Sequence, residues 1–156
     1  NGADRYGDGE DSMTYKFIFK GQIRGGKNHI QVTSTGRRFP LKAWSDWCKR
    51  EVASIDVQRL QYRLKEPITQ PCAILVEYES EDRRRRDSTA ILDAIYHVME
   101  KAGIVTDDAQ FKYVHFNDFG KTHNAFSTTT VYITPSVWPD STLRCRPVEP
   151  SAQDPD

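Results

Sequence analysis

A chain of 156 residues has the usual length of one domain, and with 37% hydrophobic residues and a mean hydropathy of -0.69 it holds no apolar run near the roughly 20 residues that span a bilayer. Its three cysteines, Cys48, Cys72 and Cys145, are odd in number and form no Cys-x-x-Cys pair, which argues against a zinc knuckle and a disulfide framework and fits a reducing compartment. The formal charge of +0 conceals acidic ends: residues 1 to 13 carry one basic and four acidic side chains and residues 134 to 156 two and four, leaving a body of 19 against 14 that suits a polyanionic partner.

Residues 1–12 are acidic and glycine-rich and read as a flexible extension ahead of Met13, without the apolar stretch of a signal peptide. Thr14 to Lys20 alternates, with Tyr15, Phe17 and Phe19 on one face, and predicts an opening strand. A second strand is expected over Asn28 to Thr33, then a turn at Ser34-Thr35-Gly36-Arg37, with Lys27, Arg37 and Arg38 flanking this excursion. Leu41, Trp44, Trp47, Cys48, Val52 and Ile55 recur at helical spacing and predict a helix from about Pro40 to Ile55, its tryptophans and Cys48 in the core. Cys72 to Glu79 is the clearest interior strand, with Cys72, Ile74, Val76 and Tyr78 on the buried side.

Ser88 to Ala102 predicts a second helix on the stripe Ile91, Ala94, Ile95, Val98, Met99 and Ala102, closed by Gly103. Phe111 to Asn117 and Ala125 to Ile133 alternate as two closing strands. Five prolines in residues 134–156 exclude helix and laddered strand there, so that segment reads as a tail, with Trp138 docked onto the body. The fold class expected is therefore α/β (α+β): a single domain over 13–133, with a mixed sheet of four to five strands and two main helices.

The informative stretch is Arg83-Arg84-Arg85-Arg86-Asp87-Ser88-Thr89, the helix it opens, and Thr106-Asp107-Asp108-Ala109-Gln110 beyond its end. Carboxylates that converge are what a hard cation such as magnesium requires, and such an ion suits phosphodiester hydrolysis. Taken singly, Asp87 also fits a helix N-cap, Asp107-Asp108 a solvated turn and the four arginines a solvated edge. If the arginines lie on a strand end, alternation sends Arg84 and Arg86 one way and Arg83 and Arg85 the other. The histidines show no metal-binding spacing.

An arginine-rich strand end, an Asp-x-Asp position at a helix start, a helix ending in Ala-Gly and a following Asp-Asp-x-Gln together resemble the RusA-like Holliday junction resolvases. Gly25-Gly26-Lys27-Asn28 and Thr35-Gly36-Arg37 ahead of a helix around Trp44 follow the same order, so the resemblance spans roughly residues 14 to 133. It implies a RusA-like, divalent-metal-dependent endodeoxyribonuclease that cuts branched DNA as a homodimer with Mg2+ or Mn2+ and no nucleotide cofactor, in the cytoplasm of a bacterial or phage-infected cell. Asp87, Asp93 and Asp108 are then the catalytic candidates, and Asp87, Asp107, Asp108 and Asp93 the metal ligands. Arg83, Arg84, Arg85, Arg86, Lys27, Asn28, Arg37 and Arg38 become the candidates for contact with DNA.

The chain departs from the family at two positions: the second aspartate of Asp-x-Asp falls on Thr89, and the lysine one turn later on Asp93. Thr89 and Asp93 share a helix face, so Asp93 either swaps in as a metal ligand or is only a solvated residue. Glu77, Glu79 and Glu81 are alternative sources of a third carboxylate. A helix of about 15 residues is about 22 Å long, which separates Asp87 from Asp108. Either the loop after Gly103 doubles back beside the helix, or a two-fold pairing brings Asp87 of one subunit towards Asp108 of the other. Two rival readings remain open: a junction-binding protein that does not cut, and an unrelated small α/β protein whose acids are caps and turns.

Overall fold

The computed structural model describes residues 13–25, 30–122 and 125–135. Lys27, Asn28, Trp138 and Cys145 lie outside them, as do residues 1–12 and 136–156 of the expected terminal segments.

Strands β1 (Tyr15–Lys20), β4 (Cys72–Ser80), β5 (Phe111–Lys121) and β6 (Thr128–Pro135) form a sheet in the order β1-β6-β4-β5. β6 is antiparallel to both β1 and β4, and β5 is parallel to β4, so the sheet is mixed as expected. The parallel step needs a long crossover, supplied by α2 (Ser88–Lys101). α1 (Lys42–Arg59) packs against α2 and β1.

The alternating strands bury the predicted faces. Phe17 and Phe19, then Cys72, Ile74, Val76 and Tyr78, then Val131 and Ile133, meet the helical stripe Ile91, Ala94, Ile95, Val98, Met99 and Ala102 in one hydrophobic core. Full burial of each large aliphatic side chain is worth about 1.5–3 kcal/mol, and this shared layer sets how the helices sit on the sheet. Trp44 and Trp47 are buried and stacked at 5.3 Å, and Trp44 also meets the His97 ring at 5.5 Å.

Several boundaries differ from the sequence expectation. β5 continues to Lys121 rather than Asn117, and β6 spans Thr128–Pro135 rather than Ala125–Ile133. Thr134 and Pro135 are therefore laddered to Ala73 and Cys72, where prolines were expected to exclude a strand. The second strand narrows to β2 (Ile30–Val32), and a strand that alternation did not signal, β3 (Arg38–Pro40), pairs with it as a separate two-stranded sheet. At three residues each, these strands are too short to display a period. The first helix begins at Lys42 and continues to Arg59, because residues 56–59 carry no breaker. The arginine run does not sit on a strand end: β4 stops at Ser80, and residues 81–87 form a loop.

α2 ends in a Schellman motif. Gly103 takes φ +70°, its N–H bonds the Glu100 carbonyl at 3.0 Å, and the Ile104 N–H bonds the Met99 carbonyl at 2.9 Å. Arg59, from the last turn of α1, donates from Nη1 to the Ala102 carbonyl at 2.7 Å and to the Gly103 carbonyl at 3.4 Å. That cation sits at the negative end of α2 and fixes where the chain leaves the helix.

Candidate functional site

The predicted acids divide between the two ends of α2. Asp87 is its N-cap, exposed, with Oδ1 accepting from the Thr89 N–H at 3.0 Å. Thr89 is exposed, and so is Asp93 one turn beyond it. Asp107 and Asp108 lie beyond the C-terminus, where the chain turns back and meets the last turn of the helix rather than its start. There the Asp108 N–H donates to Glu100 Oε1 at 2.6 Å, and one oxygen from each of Glu100, Asp107 and Asp108 falls within 4.8 Å of the others. Asp87 stands 13 residues before Glu100, about 20 Å along the helix axis. Within one chain, therefore, the structure joins Asp107 with Asp108 and leaves Asp87 apart.

Gln110 builds the acidic end. Its Oε1 accepts from the backbone N–H groups of Thr106 and Asp107, each at 2.9 Å, and from the Thr106 hydroxyl. Its Nε2 donates to the carbonyls of Ile68 at 2.6 Å and Gln70 at 3.0 Å. One side chain thus ties the acid-bearing loop to the segment ahead of β4. Asp107 caps the short 3-10 turn Asp108–Gln110 by accepting from the Ala109 N–H at 2.8 Å. That bond first, and after it the charge of Lys112, hold the Asp107 carboxyl below the usual carboxylate range.

Asp93 and Asp108 both act on Tyr96, whose phenol is pushed up first by burial and then by these two charges. Tyr96 stacks on Phe111 at 5.0 Å. Asp93, Tyr96 and Glu100 recur at i, i+3 and i+7, so one helix face carries acid, phenol and acid towards the loop. Glu100 is the group that sequence reasoning missed. Its signal was that spacing from Asp93, visible only if polar residues are given a period as apolar ones are.

The opposite end of α2 is basic. Arg83, Arg84 and Arg85 are exposed, whereas Arg86 is held inside the loop. Its Nη1 donates to Ser80 Oγ at 2.6 Å and to Asp82 Oδ1 at 2.8 Å, and its Nη2 to Asp82 Oδ2 at 3.0 Å. The side-chain bond from Arg86 and the backbone bond from Arg84 hold the Asp82 carboxyl below its ordinary value. The expected phosphate role of Arg86 thus competes with a structural one, and the expected alternation of the run gives way to three outward arginines and one clamp.

Gly25 approaches the same helix end, an added Cβ there lying 3.4 Å from Ala90, and Arg24 beside it is exposed. Arg37 and Arg38 are exposed on the separate β2–β3 hairpin. Glu77 and Glu79 lie half-buried near the C-terminal end of β4, opposite Thr130 and Thr128, at the other end of the sheet from Asp107 and Asp108. Glu81 is half-buried just beyond them, in the loop. A hollow of about 670 Å³ on the open sheet face, lined by Ala73, Leu75, Tyr113, His115, Tyr132 and Thr134 among others, contains none of the predicted site residues.

Three carboxylates at the negative end of a helix repel one another by about 1 kcal/mol per pair even in bulk water. An all-oxygen set of this kind matches Mg2+ or Mn2+ rather than a soft metal. Among the described residues no helix is long and apolar enough to cross a membrane. No protein-family model matches the chain, and no curated protein matches it.

Proposed function

We propose that the chain is a divalent-metal-dependent endonuclease of the RusA-like kind, acting on branched DNA as a homodimer. The observation that carries this reading is the convergence of Glu100, Asp107 and Asp108 at one end of α2, while Arg83, Arg84 and Arg85 stand exposed at the other. Glu100, Asp107 and Asp108 would hold Mg2+ or Mn2+, which supplies a lowered pKa for bound water and neutralises charge on the scissile phosphate. The exposed arginines give sequence-independent affinity for the DNA backbone. Gln110 holds the acids in register, and Asp93 lies on the helix face that leads to them. The resemblance in residues 83–110 supports the choice of branched DNA, and two symmetric cuts at a four-way junction support the homodimer.

A second reading, junction binding without cutting, is favoured by one specific observation. Asp87 already spends a carboxylate oxygen on the Thr89 N–H, and Thr89 and Asp93 replace the two groups that the family places beside it. A labelled four-way junction incubated with Mg2+ or Mn2+ separates the readings. Cutting that Asp108→Asn and Glu100→Gln abolish supports the nuclease. Binding with no nicking, unchanged in Asp108→Asn, supports the second reading. Absence of junction affinity at moderate salt removes both and leaves the acids as caps and turns.

A further inference from the structure

β2 and β3 pair with each other and stand apart from the main sheet. Every residue of β2 is exposed, Ile30 by 52% and Val32 by 63%, and on β3 Arg38 is exposed and Phe39 is 40% exposed. The register sets Val32 opposite Arg38 and Gln31 opposite Phe39, so Ile30 and Val32 share one face of the hairpin and Phe39 lies on the other. Apolar side chains thus point outward on both sides of a ribbon two strands wide, an arrangement that is marginally stable in water by itself. The turn is held by its own bonds. The Thr33 N–H donates to the Arg37 carbonyl at 2.9 Å, Thr33 Oγ1 accepts from the Arg37 N–H at 3.0 Å, and the N–H of Gly36, at φ +82°, donates to the Thr33 carbonyl at 2.9 Å. The hairpin is shaped by its turn and its ladder, and its apolar side chains are open to a partner on either face.

The charge around the hairpin selects that partner. Residues 20–42 carry six lysines and arginines and no acid, in a chain whose bases and acids balance at 22 each. Arg37 closes the turn and Arg38 stands opposite Val32, both exposed. Cations without acids suit phosphate, and apolar contact set among them suits the faces of bases, which a closed duplex hides and a branch point uncovers. A lipid surface also offers phosphate above an apolar layer. Lying flat on it the hairpin covers one of its two apolar faces, and entering it turn-first buries the polar run Thr33-Ser34-Thr35-Gly36-Arg37 ahead of them, at a cost. Apolar side chains entering between base steps meet neither penalty. We infer that the hairpin is a wedge for nucleic acid: Phe39 stacks on a base uncovered where a duplex opens, Ile30 and Val32 pack on the base across the blade, and Arg37 and Arg38 hold the flanking phosphates. The inference deepens the proposed function, resting on its reading of a branched nucleic acid but not on cutting.

The test mixes the full chain, in EDTA so that no strand is cut, with a four-way junction carrying 2-aminopurine at the branch, a base whose fluorescence rises when it is unstacked. Phe39→Thr and the pair Ile30→Thr with Val32→Thr remove the apolar contact and keep β-branched residues in the strands, so the ladder survives. The wild type is expected to raise the fluorescence severalfold. Phe39→Thr is expected to bind the junction about fivefold or more weakly, to lose most of that rise, and to bind an intact duplex of equal length as the wild type does. A rise that persists in both variants, or variants that lose duplex and junction affinity equally, would overturn the inference. Junction binding by the wild type with no rise would overturn it too and leave the nuclease reading to the cutting assay, whereas no junction affinity at all would remove both. Unstacking without cutting in Mg2+ would sustain the wedge and overturn the nuclease. Variants that unstack as the wild type does but no longer bind phosphatidylserine vesicles, or fall in solution mass, would assign the hairpin to lipid or to a protein surface instead.

Discussion

Two jobs compete for Asp87, and substitution separates them. Its carboxylate caps α2 through the Thr89 N–H, a task that asparagine performs about as well and alanine does not. Asp87→Ala is expected to cost about 1 kcal/mol in urea unfolding and Asp87→Asn almost nothing. A nuclease that uses Asp87 as a ligand loses activity in both, so cutting by Asp87→Asn at the wild-type rate would show the residue to be a cap alone. Acid stability turns on Asp82 and Asp107, whose carboxyls are both held below the ordinary carboxylate value near 3.8 by the bonds they accept. For a lowered pKa the contribution is present in full above the unfolded value and is lost as pH falls through the folded one. Denaturant midpoints are therefore expected to hold down to about pH 4 and to drop below it. Arg86→Met, which removes the partner of Asp82, is expected to make that drop shallower.

The ends of the elements, more than their middles, position the chemistry. Gly103 at φ +70° lets the chain turn sharply out of α2 towards Asp107, and a Cβ there strains the left-handed backbone. Gly103→Ala is expected to lower stability by about 1–2 kcal/mol and, if the acidic loop holds the proposed ion, to weaken Mn2+ uptake, measured together by thermal unfolding and metal titration. On α1, Gln58 substitutes for a strand neighbour of β1. Gln58→Ala is expected to speed hydrogen exchange of the Ile18 amide severalfold while leaving the β4 amides protected, because the loss is confined to one edge. Equal acceleration throughout the sheet would show that the clamp serves global stability instead.

Across the whole molecule, charge is distributed along α2 from a basic start to an acidic finish. If Arg83, Arg84 and Arg85 carry the proposed junction affinity, that affinity is expected to fall steeply with salt, since each phosphate neutralised releases counterions. Replacing one of them with alanine is expected to weaken binding to every DNA sequence alike and to reduce the slope of log affinity against log salt by about 1. Arg86→Ala is expected to act instead through the loop, with lower stability at every salt concentration, because its guanidinium is bound to Asp82 and Ser80. An unchanged salt slope in all three outward variants would remove the arginine loop from the DNA surface.

The alternation of Tyr15, Phe17 and Phe19, the run Cys72 to Tyr78 and the stripe Ile91 to Ala102 were legible because period is a local property: each side chain's face follows from its own backbone geometry. The cap at Asp87 and the stop at Gly103 were legible for the same reason, and with them two helices and the strands of a mixed sheet. The β2–β3 hairpin was not, being shorter than the pattern that announces a strand. Tertiary structure alone decided that β5 lies parallel to β4 at an edge and that Glu100 rather than Asp87 joins Asp107 and Asp108. Each depends on where the chain returns to itself, and here that return is set by Gln110 bonding the carbonyls of Ile68 and Gln70, some 40 residues earlier. A sequence states which groups are available, but their meeting is fixed by bonds between residues that no local pattern connects.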